Sequence, residues 1–279
     1  MATLWAWATP TPYADSPVDH TWVTDYDNRI DEPPQNVGEV IGASENYWFC
    51  WGAFHERGDS PQVPQGYLGS EPGNDALANC LVTPNAPSAS GKPSSGTIHL
   101  YGIEGVCHQL ANQVLWATGS ASQPPLTVSL ARGYGASAFF YGTYGLQHHA
   151  WDARKASCGK TSAAAAGASA STTMSASPSP NDDEFAEKAA TVLSKRSADN
   201  KLPALLALRR QAQEKLLGAQ QETRLSADML NEMHRFFLNR AATLLNDAEF
   251  ADIFDIAKSD IPKVELVDPK NFEEMRPRK

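Results

Sequence analysis

The sequence has no long hydrophobic segment and lacks the motifs of several common enzyme classes. No apolar run reaches the roughly 20 residues of a membrane-spanning helix. The first ten residues have neither the basic start nor the long apolar core of a secretory signal. Phosphate-binding loops, dinucleotide-binding motifs and the Gly-x-Ser-x-Gly motif of serine hydrolases are also missing. We therefore expect a cytoplasmic protein with no membrane span and no cofactor.

Positive charge and cysteine are both scarce. The net charge is −9 at pH 7, and residues 1–160 hold 7 Lys and Arg against 14 Asp and Glu. This balance argues against a nucleic-acid-binding surface. The four cysteines are Cys50, Cys80, Cys107 and Cys158, and a reducing cytosol would keep them as thiols. If the protein is exported, a pairing that involves Cys50 and Cys80 stays open.

The composition divides the chain into two parts. All seven tryptophans lie between Trp5 and Trp151, whereas the C-terminal part is rich in Leu, Ala and charges of both signs. Between the two parts lies a stretch of Ala, Ser, Thr, Gly and Pro, a composition typical of flexible linkers. We predict a domain over residues 1–158, a linker over 159–182, a helical bundle over 183–258 and a loose charged tail over 259–279.

The C-terminal part shows apolar residues at helical spacing. One predicted helix begins near Phe185, a second begins near Leu202 and ends at Gly218, and Ser226 is a good N-cap for a third. A fourth helix with Asp247 as its cap would follow. Such a bundle offers an amphipathic surface for a protein partner.

The N-terminal part predicts strands followed by one helix and then further strands. Residues 3–8, 19–24 and 46–54 are rich in aromatic and β-branched residues, and residues 125–131 and 136–145 are further strand candidates. This order indicates an α+β domain with an antiparallel sheet. The long Gly-, Pro- and Ser-rich stretch from Glu56 to Ser95 predicts a lid, a binding loop or an insertion.

A stretch around Cys107 carries the strongest chemical signal. A predicted strand over Thr97–Tyr101 and a glycine turn precede Cys107, and apolar residues at helical spacing follow it up to Gly119. Cys107 is therefore predicted in the first turn of a helix, where unpaired N–H groups and the helix dipole lower a thiol pKa. The alternative is a buried apolar cysteine in front of a core helix.

A cysteine nucleophile needs a base within hydrogen-bonding reach. His20 is one candidate, because His20, Trp22 and Thr24 would share one face of a predicted strand. His148 or His149, just after a strand candidate, is the competing base. Gln109 and Asn112 lie on or beside the nucleophile helix. Asn112 is one alternative for a residue that faces the cleft, but we expect it to be an ordinary exposed helix residue.

The order of these elements resembles the circularly permuted NlpC/P60 branch of the papain-like fold, which includes YiiX-like enzymes and LRAT-like acyltransferases. The shared features are a histidine on an early strand, a turn like Asp25-Tyr-Asp-Asn-Arg29, a second strand and a cysteine at a downstream helix start. The resemblance covers roughly residues 1–150. It implies an antiparallel sheet packed on the nucleophile helix, with Cys107 as nucleophile and His20 as base.

The resemblance also implies a third polar residue that orients the imidazole, a role open to His55 or Asp25. Two features depart from the family pattern. The loop from Glu56 to Ser95 is longer than in small members, and the segment from Cys107 to Asn112 differs from the Asn-Cys-Glu-His-Phe of the LRAT-like branch.

Two other classes of function compete with the thiol enzyme. Zinc would suit His99, Cys107 and His108 together with His148 or His149, but the spacing of zinc motifs is absent. Alternatively, the aromatic N-terminal part is a peptide- or glycan-binding module without chemistry. The sequence favours a cysteine-dependent amide or ester hydrolase or acyltransferase that forms a thioester intermediate. Its substrate would be a peptide or another acyl or amide compound.

Overall fold

Four strands within the described residues pair in one antiparallel sheet in a computed structural model. They are β1 (Ala2–Pro10), β2 (Asp19–Thr24), β3 (Tyr47–Phe49) and β4 (Gly66–Gly73), in the spatial order β3-β2-β1-β4. The structure describes residues 2–10, 16–25, 47–49, 66–82, 96–120, 122–146, 148–165, 183–221, 225–269 and 272–273. The α+β class with an antiparallel sheet, expected from the sequence, is confirmed.

Side-chain alternation along β1 and β2 gives the sheet two different faces. On one face Ala6 lies opposite Val23 and Ala8 lies opposite Thr21, and all four residues are buried. Small side chains at these positions leave room for a helix to pack closely on the sheet. This is the face that receives the helix beginning at Cys107.

The opposite face of the sheet is aromatic. Trp7 lies opposite Trp22, and both indoles are almost fully buried. The Trp7 Nε1–H donates a hydrogen bond of 2.7 Å to the Thr24 hydroxyl. The rings of His20 and Trp22 stack with their centroids 6.2 Å apart. The expectation that His20, Trp22 and Thr24 share one face therefore agrees with the register.

Eight α-helices follow within the described residues. The first four are α1 (Asp75–Val82), α2 (Cys107–Leu115), α3 (Tyr134–Tyr141) and α4 (His148–Ala165). The other four are α5 (Glu184–Lys195), α6 (Leu202–Ala219), α7 (Ala227–Leu244) and α8 (Asp247–Phe254). No helix in these ranges is both long and apolar enough to cross a membrane.

The later helices pack directly on α3. The Arg209 guanidinium of α6 is buried and donates hydrogen bonds to the carbonyls of Ala138 and Phe139, near the end of α3. At the other end of α3, the Gly135 N–H donates to the Asp255 carboxylate at 2.9 Å. Both ends of α3 are thus fixed by groups from the C-terminal part, and one hydrophobic core continues through both parts.

Four local expectations are wrong. Residues 134–141 form a helix, whereas a strand was expected over 136–145, and residues 125–131 run without strand pairing. Residues 66–73, expected to lie in a long loop, form β4, and the segment Ala76–Val82, expected to interrupt that loop, lies in α1. The expected loose tail is also ordered at its start, since a 3₁₀-helix spans Lys258–Lys263 and Val264 and Val267 are fully buried.

A disulfide between Cys80 of α1 and Cys158 of α4 corrects the expectation of four thiols. It joins α1, which precedes α2 in the sequence, to α4, which follows α2 and α3. Among the described cysteines, Cys107 alone is free. Disulfides are typical of oxidising compartments. The bond therefore does not favour the predicted cytoplasmic location, which stays a prediction.

Candidate functional site

A tight turn within residues 99–105 directly precedes Cys107. The buried Glu104 carboxylate accepts hydrogen bonds from the backbone N–H groups of His99, at 2.7 Å, and Leu100, at 3.1 Å. Gly102 has a φ of +80°, a conformation that favours glycine. The Gly102 N–H donates to the Gly105 carbonyl and closes the turn. Side-chain and backbone contacts together fix where the next helix begins.

Cys107 is the first residue of α2, as the sequence predicted. The N-cap residue, Val106, has no side-chain acceptor for the first N–H groups of the helix. Gln109 instead accepts a hydrogen bond from the Val106 N–H at 3.2 Å. The backbone N–H groups of Cys107 and His108 interact with the Cys107 sulfur.

The pKa of the Cys107 thiol is raised above its ordinary value. Desolvation raises its pKa to about 11, and contacts with the backbone and hydroxyl of Thr21 and with the N–H groups at the helix start offset only part of this. The expectation that the helix N-terminus would lower the thiol pKa is therefore wrong, because burial against β2 outweighs the helix effect. A nucleophilic role then requires a base that removes the thiol proton.

Cys107 lines a pocket of about 440 Å³, counting the solvent at its mouth. The walls come from the start of β2, the turn before α2, the first residues of α2 and the C-terminal segment. Its lining residues are Val18, Asp19, His20, Tyr101, Val106, Cys107, His108, Glu265, Leu266, Asp268 and Pro269. The pocket thus contains a thiol, two histidines and three carboxyl-bearing residues.

His20 and Cys107 both line this pocket, as expected from the sequence. The strand register, however, puts His20 on the same face as Trp22, whereas Cys107 contacts Thr21 on the other face. His20 is the second residue of β2 and lies at the pocket end of the strand. The shared pocket favours His20 as the base, and the strand alternation weighs against it.

The other base and orienting candidates lie elsewhere. Asp25 follows the far end of β2, and at about 3.3 Å per residue it lies roughly 16 Å along the strand from His20. It therefore cannot orient the His20 ring. His149 is exposed on α4 and is not among the described residues that line the pocket, and the side chain of His148 lies outside the described part of the chain. His55 lies outside the described residues.

The zinc hypothesis gains no support from this arrangement. Within the described part of the chain, no three His, Cys, Asp or Glu side chains are grouped so that they could hold a metal ion. His99 is exposed, while His108 is fully buried between α2 and its neighbours. Adjacent residues of a helix point about 100° apart, which separates the donor atoms of Cys107 and His108.

His108 is a buried structural histidine. Its Nε2–H donates to the backbone carbonyl of Asp19 at 2.8 Å, and its Nδ1 lies 2.7 Å from the Ser137 hydroxyl. A carbonyl can only accept, so Nε2 carries a proton. Desolvation lowers the His108 pKa to about 4. His108 therefore ties α2 to β2 and α3 beside the pocket.

The polar side chains that follow it on α2 are buried as well. Asn112, expected to be exposed, has no accessible surface, and it donates to the Thr143 carbonyl and accepts from the Val128 N–H. Gln113 binds the Thr97 N–H at 3.1 Å and the Tyr144 carbonyl at 2.7 Å. The side-chain amides of Asn112 and Gln113 thus supply hydrogen-bond partners to backbone groups of the surrounding loops, which have none from a helix or a sheet. They hold the loops that frame α2 in fixed positions.

Sequence reasoning missed the pocket residues from the C-terminal segment. Glu265, Leu266, Asp268 and Pro269 lie on the pocket wall although they are remote from Cys107 in the sequence. The only local signal was the apolar pair Val264 and Val267 inside a charged stretch. That pattern is too short to indicate a helix or a strand.

The chain matches no family model, no curated protein and no solved structure. The resemblance to permuted NlpC/P60 enzymes therefore stays a prediction. Any function assigned to the pocket has to follow from its residues and their geometry.

Proposed function

We propose that the protein is a cysteine-dependent amide or ester hydrolase or acyltransferase, with Cys107 as its nucleophile and His20 as its general base. The observation that carries the proposal is the pocket that Cys107 and His20 line together at the start of a helix packed on an antiparallel sheet. The resemblance to permuted NlpC/P60 enzymes, which implies Cys107 as nucleophile and His20 as base, also supports the proposal. Peptides and other acyl or amide compounds are the proposed substrates.

The proposed reaction begins with a proton transfer. His20 takes the proton of the Cys107 thiol as the sulfur attacks a substrate carbonyl, and the amine or alcohol leaves with a proton. The product of this half-reaction is a thioester on Cys107. Water or an amine then attacks the thioester and regenerates the thiol. In this mechanism the backbone N–H groups at the start of α2 would stabilise the developing oxyanion.

The raised pKa of Cys107 makes the base essential. With a pKa of about 11, only about one thiol in ten thousand is ionised at pH 7. A free cysteine with a pKa of about 8.5 is ionised to a few per cent at that pH. General-base assistance contributes roughly 100- to 10,000-fold in well-placed sites. Transfer of the thiol proton to His20 during attack would compensate for most of this deficit.

Acyl-enzyme trapping with activated esters tests the proposal and does not require the natural substrate. The purified protein is incubated with p-nitrophenyl esters of different acyl chains, and intact-protein mass spectrometry with peptide mapping locates any thioester. We expect acylation at Cys107 that disappears in Cys107→Ala. Acylation that persists unchanged in Cys107→Ala, or no acylation by any ester, would refute a nucleophilic Cys107.

The second candidate is a peptide- or glycan-binding module without chemistry. The raised thiol pKa favours it, because an unassisted Cys107 is a poor nucleophile. The partly exposed aromatic pair of Trp5 and Tyr67, with ring centroids 5.7 Å apart, would suit such a ligand. Binding of a peptide or glycan that survives in Cys107→Ala, together with failure of acylation, supports this function instead.

A further inference from the structure

The C-terminal segment lines one wall of the Cys107 pocket, and an amide side chain of α7 binds its backbone. We name residues 264–269 the C-terminal strap. Asn231 of α7 accepts hydrogen bonds from the Leu266 N–H at 3.1 Å and the Val267 N–H at 3.0 Å, and it donates to the Val267 carbonyl at 2.8 Å. Asn231 is almost completely buried. Three hydrogen bonds from one side chain fix the backbone of the strap at its centre.

Other contacts fasten the strap on both sides of this point. The Arg235 guanidinium donates to the Val264 carbonyl at 3.0 Å. The Asp268 N–H donates to the Tyr101 hydroxyl at 3.0 Å, and Tyr101 itself lines the pocket. The strap therefore touches both α7 and the turn that precedes Cys107.

The turn before Cys107 and the strap fit closely against each other. A Cβ atom added at Gly102 would lie 2.9 Å from both methyl groups of Val267. Val267 is fully buried, while Glu265, Leu266 and Asp268 line the pocket wall. At Gly218 of α6, by contrast, an added Cβ atom would have no neighbouring atom within 4 Å.

We infer that the C-terminal strap is the size-determining wall of the Cys107 pocket and that Asn231 is the residue that positions it. The strap admits slender acyl or amide groups to Cys107 and hinders bulky ones. The inference rests on the proposed function in taking Cys107 as the residue that the pocket serves. Asn231 acts only through the strap and takes no part in chemistry.

Labelling of Cys107 by thiol reagents of different size tests this inference. N-ethylmaleimide is the small probe and fluorescein maleimide is the bulky probe, and each rate is divided by that of the same reagent with glutathione. In the unmodified protein we expect Cys107 to react at least tenfold faster with the small reagent on this scale. Asn231→Ala removes three hydrogen bonds, which would raise the population of an open strap roughly 100-fold and bring the two normalised rates close together.

Two further variants distinguish an effect of the strap on the labelling ratio from a general folding defect. Tyr101→Phe removes the hydrogen bond that the tyrosine hydroxyl accepts from the Asp268 N–H, and a smaller shift in the same direction is expected. Asn239→Ala, on the exposed side of the same helix α7, is the matched control and should leave the ratio unchanged. Hydrogen exchange of the peptide that contains Leu266 and Val267 should rise in Asn231→Ala and not in Asn239→Ala.

The outcomes separate the two proposals. If hydrogen exchange at Leu266 and Val267 rises in Asn231→Ala while the size ratio stays unchanged, the strap is not the limiting wall and the inference fails. Equal normalised rates of both reagents in the unmodified protein also overturn it. If the size ratio behaves as expected but no ester acylates Cys107, the strap inference stands and the proposed enzyme function fails.

Discussion

Replacement of Asn112 by leucine should strongly destabilise the protein. Asn112 is fully buried on α2, and its amide accepts from the Val128 N–H at 2.9 Å and donates to the Thr143 carbonyl at 2.9 Å and the Tyr134 hydroxyl at 3.0 Å. Leucine has a similar volume but leaves the Val128 N–H and the Thr143 carbonyl without these partners. An unsatisfied buried group costs about 1–3 kcal/mol, so we expect a loss of about 4 kcal/mol.

Urea unfolding followed by tryptophan fluorescence measures this loss. Asn239→Leu is the matched control, because Asn239 is an exposed asparagine in the interior of α7, and it should change the free energy of unfolding by less than about 0.5 kcal/mol. A midpoint for Asn112→Leu equal to that of the control, with the same slope, would refute the view that the buried amides of α2 hold its surrounding loops.

Two further predictions concern the disulfide and acid stability. Breaking the Cys80–Cys158 bond, which closes a separation of 78 residues, should lower the free energy of unfolding by about 4 kcal/mol; unchanged urea midpoints with and without reductant would contradict this. Desolvation lowers the pKa of His108 to about 4 and that of His234 to about 3, below the roughly 6.5 of an unfolded histidine. Stability should therefore fall as the pH drops below about 6.5, by roughly 2 kcal/mol per histidine at pH 5. His108→Gln should reduce the loss between pH 7 and pH 5 by that amount, and an identical loss would contradict the assignment.

Local patterns predicted several elements well. The bounds of β2 follow from its β-branched and aromatic residues, and the start of α2 follows from helical spacing after a glycine turn. Ser226 caps α7 as expected, because its hydroxyl accepts from the Met229 N–H. In α8, however, Asn246 and not Asp247 is the cap. Each of these features depends on interactions within a few residues.

Features that depend on distant contacts were not predictable in this way. Every residue of α3 is buried, so its sequence lacks the polar face that would distinguish a helix from a strand. Asn112 was expected to be exposed because amides usually are, but the loops around α2 use it as a hydrogen-bonding partner. The raised pKa of Cys107 has the same origin, since the desolvation comes from burial in the folded protein.

The C-terminal strap is the clearest example of this limit. Its backbone is held by Asn231, and nothing in the local sequence of either segment indicates the other. The expectation of a loose charged tail followed from prolines and charges, which say little about buried valines between them. The part of the pocket wall that the strap forms therefore cannot be predicted from the local sequence around Cys107.

The pH dependence of Cys107 acylation tests the central claim most directly. If His20 is the base, the rate with a p-nitrophenyl ester should level off well below the thiol pKa of about 11. In His20→Gln the rate should fall at least about 100-fold at pH 7.5 and should keep rising toward the thiol pKa of about 11. A profile of the unmodified protein that rises toward pH 11 just as His20→Gln does would contradict the account.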